Sequence, residues 1–365
     1  MFDRKTAIHR LKMTLLPLAA MAVVGTMAPT SSMAAPSPDV PVAVDTSTTT
    51  SIAPVKLKGQ KIARGYSSTQ IKALDRTGGD PALLDHWTPK RMQQAKPLKA
   101  PGDAKVIDKA VRAAIKQLPE VADKPAAPAK ASNALKKAPA PVTNFSVTNG
   151  KLFFDYYESP SWCSASAINT PSKRVIVTAG HCVHTGKGGR WLTNMVFAPG
   201  YNKFAVNRAP RGTFQAYQVR TFNAWTTNSD LNRDVGFVTL YRNAAGQRVV
   251  DAIGGHGLVY NGGTEFDASI FGYPSNRDNG DRMWACWGTT QDNSWFDNKS
   301  KITCNFGPGA SGGPWLANYS NATGLGYVRS VTSTVNSAGV NKGPYFDTAV
   351  RDMKNAANND WPNPA

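Results

Sequence analysis

From Gly150 to about residue 345 the apolar residues come in short runs, 152–154, 175–178, 195–197, 235–240, 268–271 and 326–331, separated by Gly, Asn, Pro and Asp. A buried helix needs a period sustained over roughly ten to twelve residues, whereas a strand is complete in about four to eight. No helical period outlasts about ten residues before position 345, so this part of the chain is built from strands. Many short strands at close spacing predict an antiparallel sandwich or barrel. Beyond 345 the pattern changes, and Phe346, Val350 and Met353 share one side of a closing helix predicted over 345–356.

The 365 residues exceed what one core usually needs, which points to one large domain preceded by processed or flexible segments. A net charge of +18 would suit a nucleic-acid partner if it were gathered on one face. It divides instead as 22 Lys/Arg against 10 Asp/Glu in residues 1–150 and 20 against 14 in 151–365, with no basic stretch interleaved with stacking aromatics. The excess belongs to a basic leader, and no nucleic-acid partner is expected.

Residues 1–12 carry Arg4, Lys5, Arg10 and Lys12, residues 13–24 are mostly apolar, and Ser32-Met33-Ala34 offers small residues to a signal peptidase. This order reads as a secretory signal, residues 1–34, cut after Ala34 or Ala35. Its apolar stretch is too short for a bilayer, which needs about twenty residues, so the mature protein is expected to be secreted and free of the membrane. Residues 36–60, rich in Ser, Thr, Pro and Val without a period, are expected to be disordered. A helix is predicted from an Asp103 cap through Val106, Ile107, Ala110, Val111, Ala114, Ile115 and Leu118, stopped by Pro119. One amphipathic helix suits a pro-region, residues 35–123, better than an independent domain. Residues 124–149 then form a Pro/Ala/Lys linker, polyproline-like and open to processing, with Lys136-Lys137 as a cut site ahead of the 150–365 domain.

All four cysteines, Cys163, Cys182, Cys286 and Cys304, lie in that exported domain, where disulfides are the default. Three pairings are possible; joining sequence neighbours, Cys163–Cys182 and Cys286–Cys304, closes short loops and suits adjacent strands. A Cys/His metal site could draw on His181-Cys182 and His184, but no second ligand pair has zinc-like spacing. No metal and no cofactor is expected.

The chemistry is carried by Gly307-Pro308-Gly309-Ala310-Ser311-Gly312-Gly313-Pro314. Glycines around one serine bend the backbone, expose the hydroxyl and let main-chain N–H groups converge on one oxygen. A serine nucleophile needs a base, and the 150–365 region holds only His181, His184 and His256. His181 ends the β-branched run Arg174-Val175-Ile176-Val177-Thr178-Ala179-Gly180, which places an imidazole at a strand end. A carboxylate on its other nitrogen would fix the tautomer, and Asp234, opening the apolar strand Val235–Leu240, suits that role better than Asp230 in its polar loop. An α/β-hydrolase would need its histidine after the serine, and none follows Ser311. A subtilisin order could recruit Asp155, but its serine opens a helix, which Gly-Gly-Pro does not. The order His181, Asp234, Ser311 is left.

Thr178-Ala179-Gly180-His181-Cys182, Asp234-Val235-Gly236 and Ser311-Gly312-Gly313-Pro314 resemble, in sequence and in order, the three motifs of the chymotrypsin-like (trypsin-like) serine peptidases. The match spans roughly 150–352, and Gly272-Tyr273-Pro274, Gly343-Pro344-Tyr345-Phe346 and Trp87-Thr88-Pro89-Lys90-Arg91-Met92 are similar to a secreted bacterial branch. The resemblance implies an all-β fold of two antiparallel six-stranded barrels with a C-terminal helix, the site lying in the cleft between them. It also implies the Cys163–Cys182 pairing, Gly309 and Ser311 as oxyanion donors, and Ser330 beside the base aligning substrate backbone. Ala310 stands where digestive members carry the aspartate that pairs with a freed N-terminus, so the pro-region is expected to act by covering the cleft or assisting folding. Asn305, six residues before Ser311, occupies the place of a trypsin-like pocket aspartate, and the strand from Tyr327 to Thr332 has no histidine of the kind glutamate-specific relatives use. The expected function is a monomeric serine endopeptidase acting on proteins or peptides and partnered by its own pro-region. A non-catalytic binding protein or a serine esterase on the same fold is the alternative.

Overall fold

The computed structural model describes residues 45–57, 66–100, 118–129, 145–294 and 297–362. The signal sequence, the helix expected from Val106 and the Lys136-Lys137 cut fall outside them.

The stretch expected to be disordered contains a strand. Thr48–Ile52 (β1) is β-branched at four of its five positions and pairs antiparallel with the strand over 218–222, Thr48 opposite Phe222. Three short helices follow, Ser68–Thr77 (α1), Pro81–His86 (α2) and Pro89–Gln94 (α3). Each start is capped: Ser67 and Gln70 form a reciprocal capping box, while Asp80 and Thr88 accept from first-turn N–H groups with a proline next in line. Lys96–Pro97 (β2) and Val121–Asp123 (β3) add further short strands. This segment shares the domain's core. Leu83 and Trp87 are buried, Trp87 packs on Phe153 at 5.5 Å, and its Nε1 donates to the Asn194 carbonyl at 2.6 Å. Buried Asp75 takes both Arg174 Nη atoms, at 2.7 and 2.8 Å. Asp155 accepts from His86, Arg91 and Asn194, each at 2.7 Å. The start of the expected linker is also docked, Ala126 exchanging backbone hydrogen bonds with Gly255.

The first half of the domain closes into a barrel of six strands: Asn149–Tyr156 (β4), Ser159–Ala167 (β5), Val175–Thr178 (β6), Thr193–Pro199 (β7), Phe214–Phe222 (β8) and Gly236–Leu240 (β9). The ring runs β4-β5-β6-β9-β8-β7 and back to β4, antiparallel at every step. Its strands carry the fully buried Phe153, Phe197, Phe214, Phe222 and Phe237.

The second half is divided. Gly257–Tyr260 (β10), Asp267–Gly272 (β11), Trp284–Thr289 (β12), Gln291–Ser294 (β13), Asp297–Thr303 (β14), Pro314–Ser320 (β15), Leu325–Val331 (β16), Thr334–Val335 (β17) and Val340–Pro344 (β18) form two sheets. One is ordered β12-β11-β15-β16-β10-β3 and the other β13-β14-β18-β17. The expected second barrel is therefore not one continuous ladder, and β10 meets β16 in parallel. The Cys286–Cys304 disulfide joins β12 to the residue following β14, bridging the two sheets where the ladder is interrupted. The predicted closing helix spans Thr348–Asn359, capped by Asp347, and buries Val350 and Met353.

Candidate active site

His181 sits on the single turn Gly180–Cys182 that ends β6, tied down by the Cys163–Cys182 disulfide to β5. Gly180 is required there: a Cβ would stand 2.9 Å from Thr221 Oγ1 and 3.1 Å from Asp234 Oδ1. Asp234, fully buried just before β9, holds the turn twice. Its Oδ1 accepts the His181 backbone N–H at 2.7 Å and its Oδ2 lies 2.8 Å from His181 Nδ1. A carboxylate only accepts, so Nδ1 carries the proton and the lone pair of the neutral ring is left on Nε2. Nε2 is buried without a hydrogen-bond partner. Burial pushes the Asp234 carboxyl up, but His181, through its charge and two N–H donors, and the Ser333 hydroxyl outweigh it and hold the group below its ordinary range. Asp230 instead caps the turn Leu231–Arg233, its side chain accepting from Asn232 N at 3.0 Å.

The other histidines are satisfied structurally. His256 Nδ1 accepts from Gly326 N at 3.2 Å, so its Nε2 donates to Asn149 Oδ1 at 2.8 Å, and burial pushes its pKa down to about 3. His184 Nδ1 accepts from Gly186 N at 3.1 Å and its ring meets Trp191 edge-on. Asp155 belongs to the cluster with His86 and Arg91. The sulfurs of Cys163 and Cys182 approach His181 Nδ1 or Nε2 within 4.8 Å, but the disulfide withdraws them as thiolate ligands.

Ser311 lies in the turn entering β15, with its carbonyl held by Ser164 N at 2.7 Å. The next residue seats against the first barrel, since a Cβ on Gly312 would lie 2.0 Å from Thr178 Oγ1 and 2.9 Å from Ala179 N. The serine is thereby fastened close to the strand end that presents His181. No hydrogen bond joins Ser311 Oγ to Nε2 in this form of the chain. Gly309 takes φ +89°, with Trp162 packed so closely that a Cβ would meet its Nε1 at 2.3 Å. Its carbonyl accepts from Ser164 Oγ at 2.9 Å, which in turn accepts from Tyr273 N at 2.9 Å. Behind Trp162 sits buried Lys151, Nζ 3.9 Å from the ring centroid and donating to the Gly280 carbonyl at 2.8 Å. Burial pushes this amine down to about 7, against the pull of Asp281.

Two expected positions are corrected. Ser330 points away from the base and donates to the Pro344 carbonyl at 2.8 Å; Ser333 is the serine on Asp234 Oδ2, at 2.6 Å. Alternation along β16 turns Ser330 toward β18, and Ser333 follows the end of that strand, where no period predicts its direction. Asn305 is exposed, at φ +51°, and its N–H binds the Gly339 carbonyl. The cavity beside Ser311 is lined instead by Phe306, Gly307, Pro308, Thr332–Val335 and Asn341. Among the described residues that line it, Lys99 alone is charged, brought by the segment that follows β2.

The chain is similar to several solved structures. A thermostable serine protease, AL20, from an extremophilic microorganism is 28% identical, with a TM-score of 0.54 over 59% of this chain and 98% of that one. Protease Anisep from Arthrobacter nicotinovorans is 29% identical, with a TM-score of 0.54 over 60% and 97%. A Glu endopeptidase, 19% identical with a TM-score of 0.50 over 65% and 98%, shares the fold. No protein-family model and no curated protein matches the chain.

Proposed function

This chain belongs to the chymotrypsin-like serine peptidase family, and from that premise we propose that it is a secreted serine endopeptidase working through Ser311, His181 and Asp234. The observation that carries the reading is the buried carboxylate on Nδ1, which reserves Nε2 as a base. Ser311 Oγ attacks the scissile carbonyl while its proton passes to Nε2, and Asp234 stabilises the imidazolium without taking the proton. The Gly309 and Ser311 N–H groups hold the oxyanion. The imidazolium then protonates the leaving amine, and water repeats the sequence on the acyl-enzyme. Two disulfides fit an extracellular protein, and no described helix is long and apolar enough to cross a membrane.

Fluorophosphonate labelling of the processed domain tests this. Modification is expected at Ser311, absent in Ser311→Ala and strongly slowed in His181→Ala. A folded domain that resists the reagent would instead be a binding protein on a peptidase scaffold, and turnover of simple esters without peptides would make it an esterase.

Ser164 acts in this scheme as a positioning residue, since its hydroxyl fixes the Gly309 carbonyl. Truncation leaves that carbonyl and the Tyr273 N–H buried without a partner, at about 1–3 kcal/mol for each group. Ser164→Ala is expected to lower kcat roughly tenfold with KM nearly unchanged, and Ser164→Thr to restore most of it. A rise in KM alone would show that Ser164 supports the fold and not the oxyanion donors.

A further inference from the structure

The segment after α3 crosses the site. Lys96 and Pro97 pair in parallel with Ser161 and Trp162 of β5, and Leu98 N donates to the Trp162 carbonyl at 3.0 Å. The Leu98 carbonyl then accepts the Gly309 N–H at 3.3 Å, and Lys99 and Ala100 continue into the cavity that Ser311 lines. We propose that Lys96–Ala100 is an autoinhibitory strap, bound in the cleft with its polarity opposite to that of a substrate. This rests on the serine-peptidase reading and names how the same site is kept shut.

The polarity follows from where the proton must go. The leaving amine has to depart on the side of the imidazole that protonates it. His181 adjoins Cys182, whose disulfide partner Cys163 follows Trp162, so the leaving side is that of β5. A productive substrate therefore runs from the cavity, with its N-terminal half there, toward β5. The strap runs from β5 into the cavity. Its Leu98 carbonyl occupies an oxyanion donor, yet the amide nitrogen of Lys99 leads into the cavity, away from Nε2. Attack by Ser311 Oγ would form a tetrahedral adduct whose nitrogen has no proton donor, so the adduct returns to serine and intact peptide. The strap blocks without being consumed.

Its own bonds to the cleft are few, and they suffice because the segment just before it is anchored. Asp155 clamps His86 and Arg91, and Trp87 is buried against Phe153. A tethered strap competes at an effective concentration in the millimolar range.

The test compares uncleaved full-length chain with processed domain, labelled by fluorophosphonate and separated on one gel. Uncleaved chain is expected to label about 100-fold more slowly, the scale of losing one oxyanion donor. Replacing Lys96–Ala100 by Gly-Ser-Gly-Ser-Gly should bring the uncleaved chain to within about threefold of the processed rate, because the strap no longer matches the cleft. Leu98→Pro, which removes the N–H bound to Trp162 together with the Leu98 side chain packed against the core, should raise it by at least about tenfold if that bond alone contributes near 1.4 kcal/mol. Equal labelling of both wild-type forms would overturn the strap, as would an uncleaved chain that stays inert in both variants. Failure of the processed domain itself to label would overturn the peptidase reading and the strap with it.

Discussion

Asp234→Asn is expected to lower kcat/KM of the processed domain by about four orders of magnitude while the domain stays folded. The carboxylate receives three donors, the His181 backbone N–H, Nδ1–H and the Ser333 hydroxyl. An amide has one oxygen and one NH2 group to place among them. With its oxygen on the backbone N–H, the NH2 faces Nδ1, which must then become the acceptor, and the ring proton moves to Nε2. The base is lost although no atom has shifted far. Ser333 can rotate to accept, so most of the packing survives. The depressed carboxyl also has a stability signature. A folded-state pKa below the unfolded one gives stabilisation that is present above the ordinary carboxylate range and lost as pH falls through the folded value. The variant should therefore show a shallower loss of stability on the acid side, measured by thermal unfolding against pH. A drop in kcat/KM of less than tenfold would show that the pair does not set the base.

The same site shows where sequence patterns carry structural information and where they stop. His181 was legible because a β-branched run must end, and the residue at its end is fixed by the strand. Asp234 was separable from Asp230 for a like reason: it abuts the apolar strand, whereas Asp230 lies in polar sequence and spends its carboxylate on a turn. The closing helix and both disulfide pairs were likewise local matters. What escaped was set by distant partners. Thr48–Ile52 has no amphipathic period because its order comes from pairing with β8, some 170 residues away in sequence. Helices α1 to α3 did carry signals, the Ser67/Gln70 box, Gly78 after the last turn, and Asp80-Pro81 and Thr88-Pro89, but each is too short for a periodic stripe to stand out. Asn305 failed because counting back from Ser311 assumes one loop path, while the left-handed Asn305 turns its side chain out and leaves the wall to Phe306, Gly307 and Pro308.

Gly312→Ala should be among the most destabilising single substitutions in the domain. Gly312 lies where the loop of the second half meets the first barrel, at φ +79°. An added Cβ would fall 2.0 Å from Thr178 Oγ1, 2.3 Å from the Ser164 carbonyl and 2.9 Å from Ala179 N. Two of these atoms are backbone, and the third donates to the Ser164 carbonyl at 2.8 Å, tying β6 to β5, so none can yield cheaply. Left-handed backbone costs a non-glycine residue about 1–2 kcal/mol. Overpacking adds about 1–3 kcal/mol and a broken buried hydrogen bond about 1 kcal/mol or more. A total near 4–5 kcal/mol is a large part of the roughly 5–15 kcal/mol that holds a domain folded. Gly246→Ala separates the two causes, for its φ is +74° but nothing lies within 4 Å of the new methyl group, leaving the backbone term alone. At about 2–4 °C per kcal/mol for a domain of this size, Gly312→Ala should lower Tm by roughly 10–20 °C and Gly246→Ala by only a few degrees. Equal shifts for the two variants would mean that the halves can separate at this point, and that the glycine beside Ser311 serves its backbone angle alone.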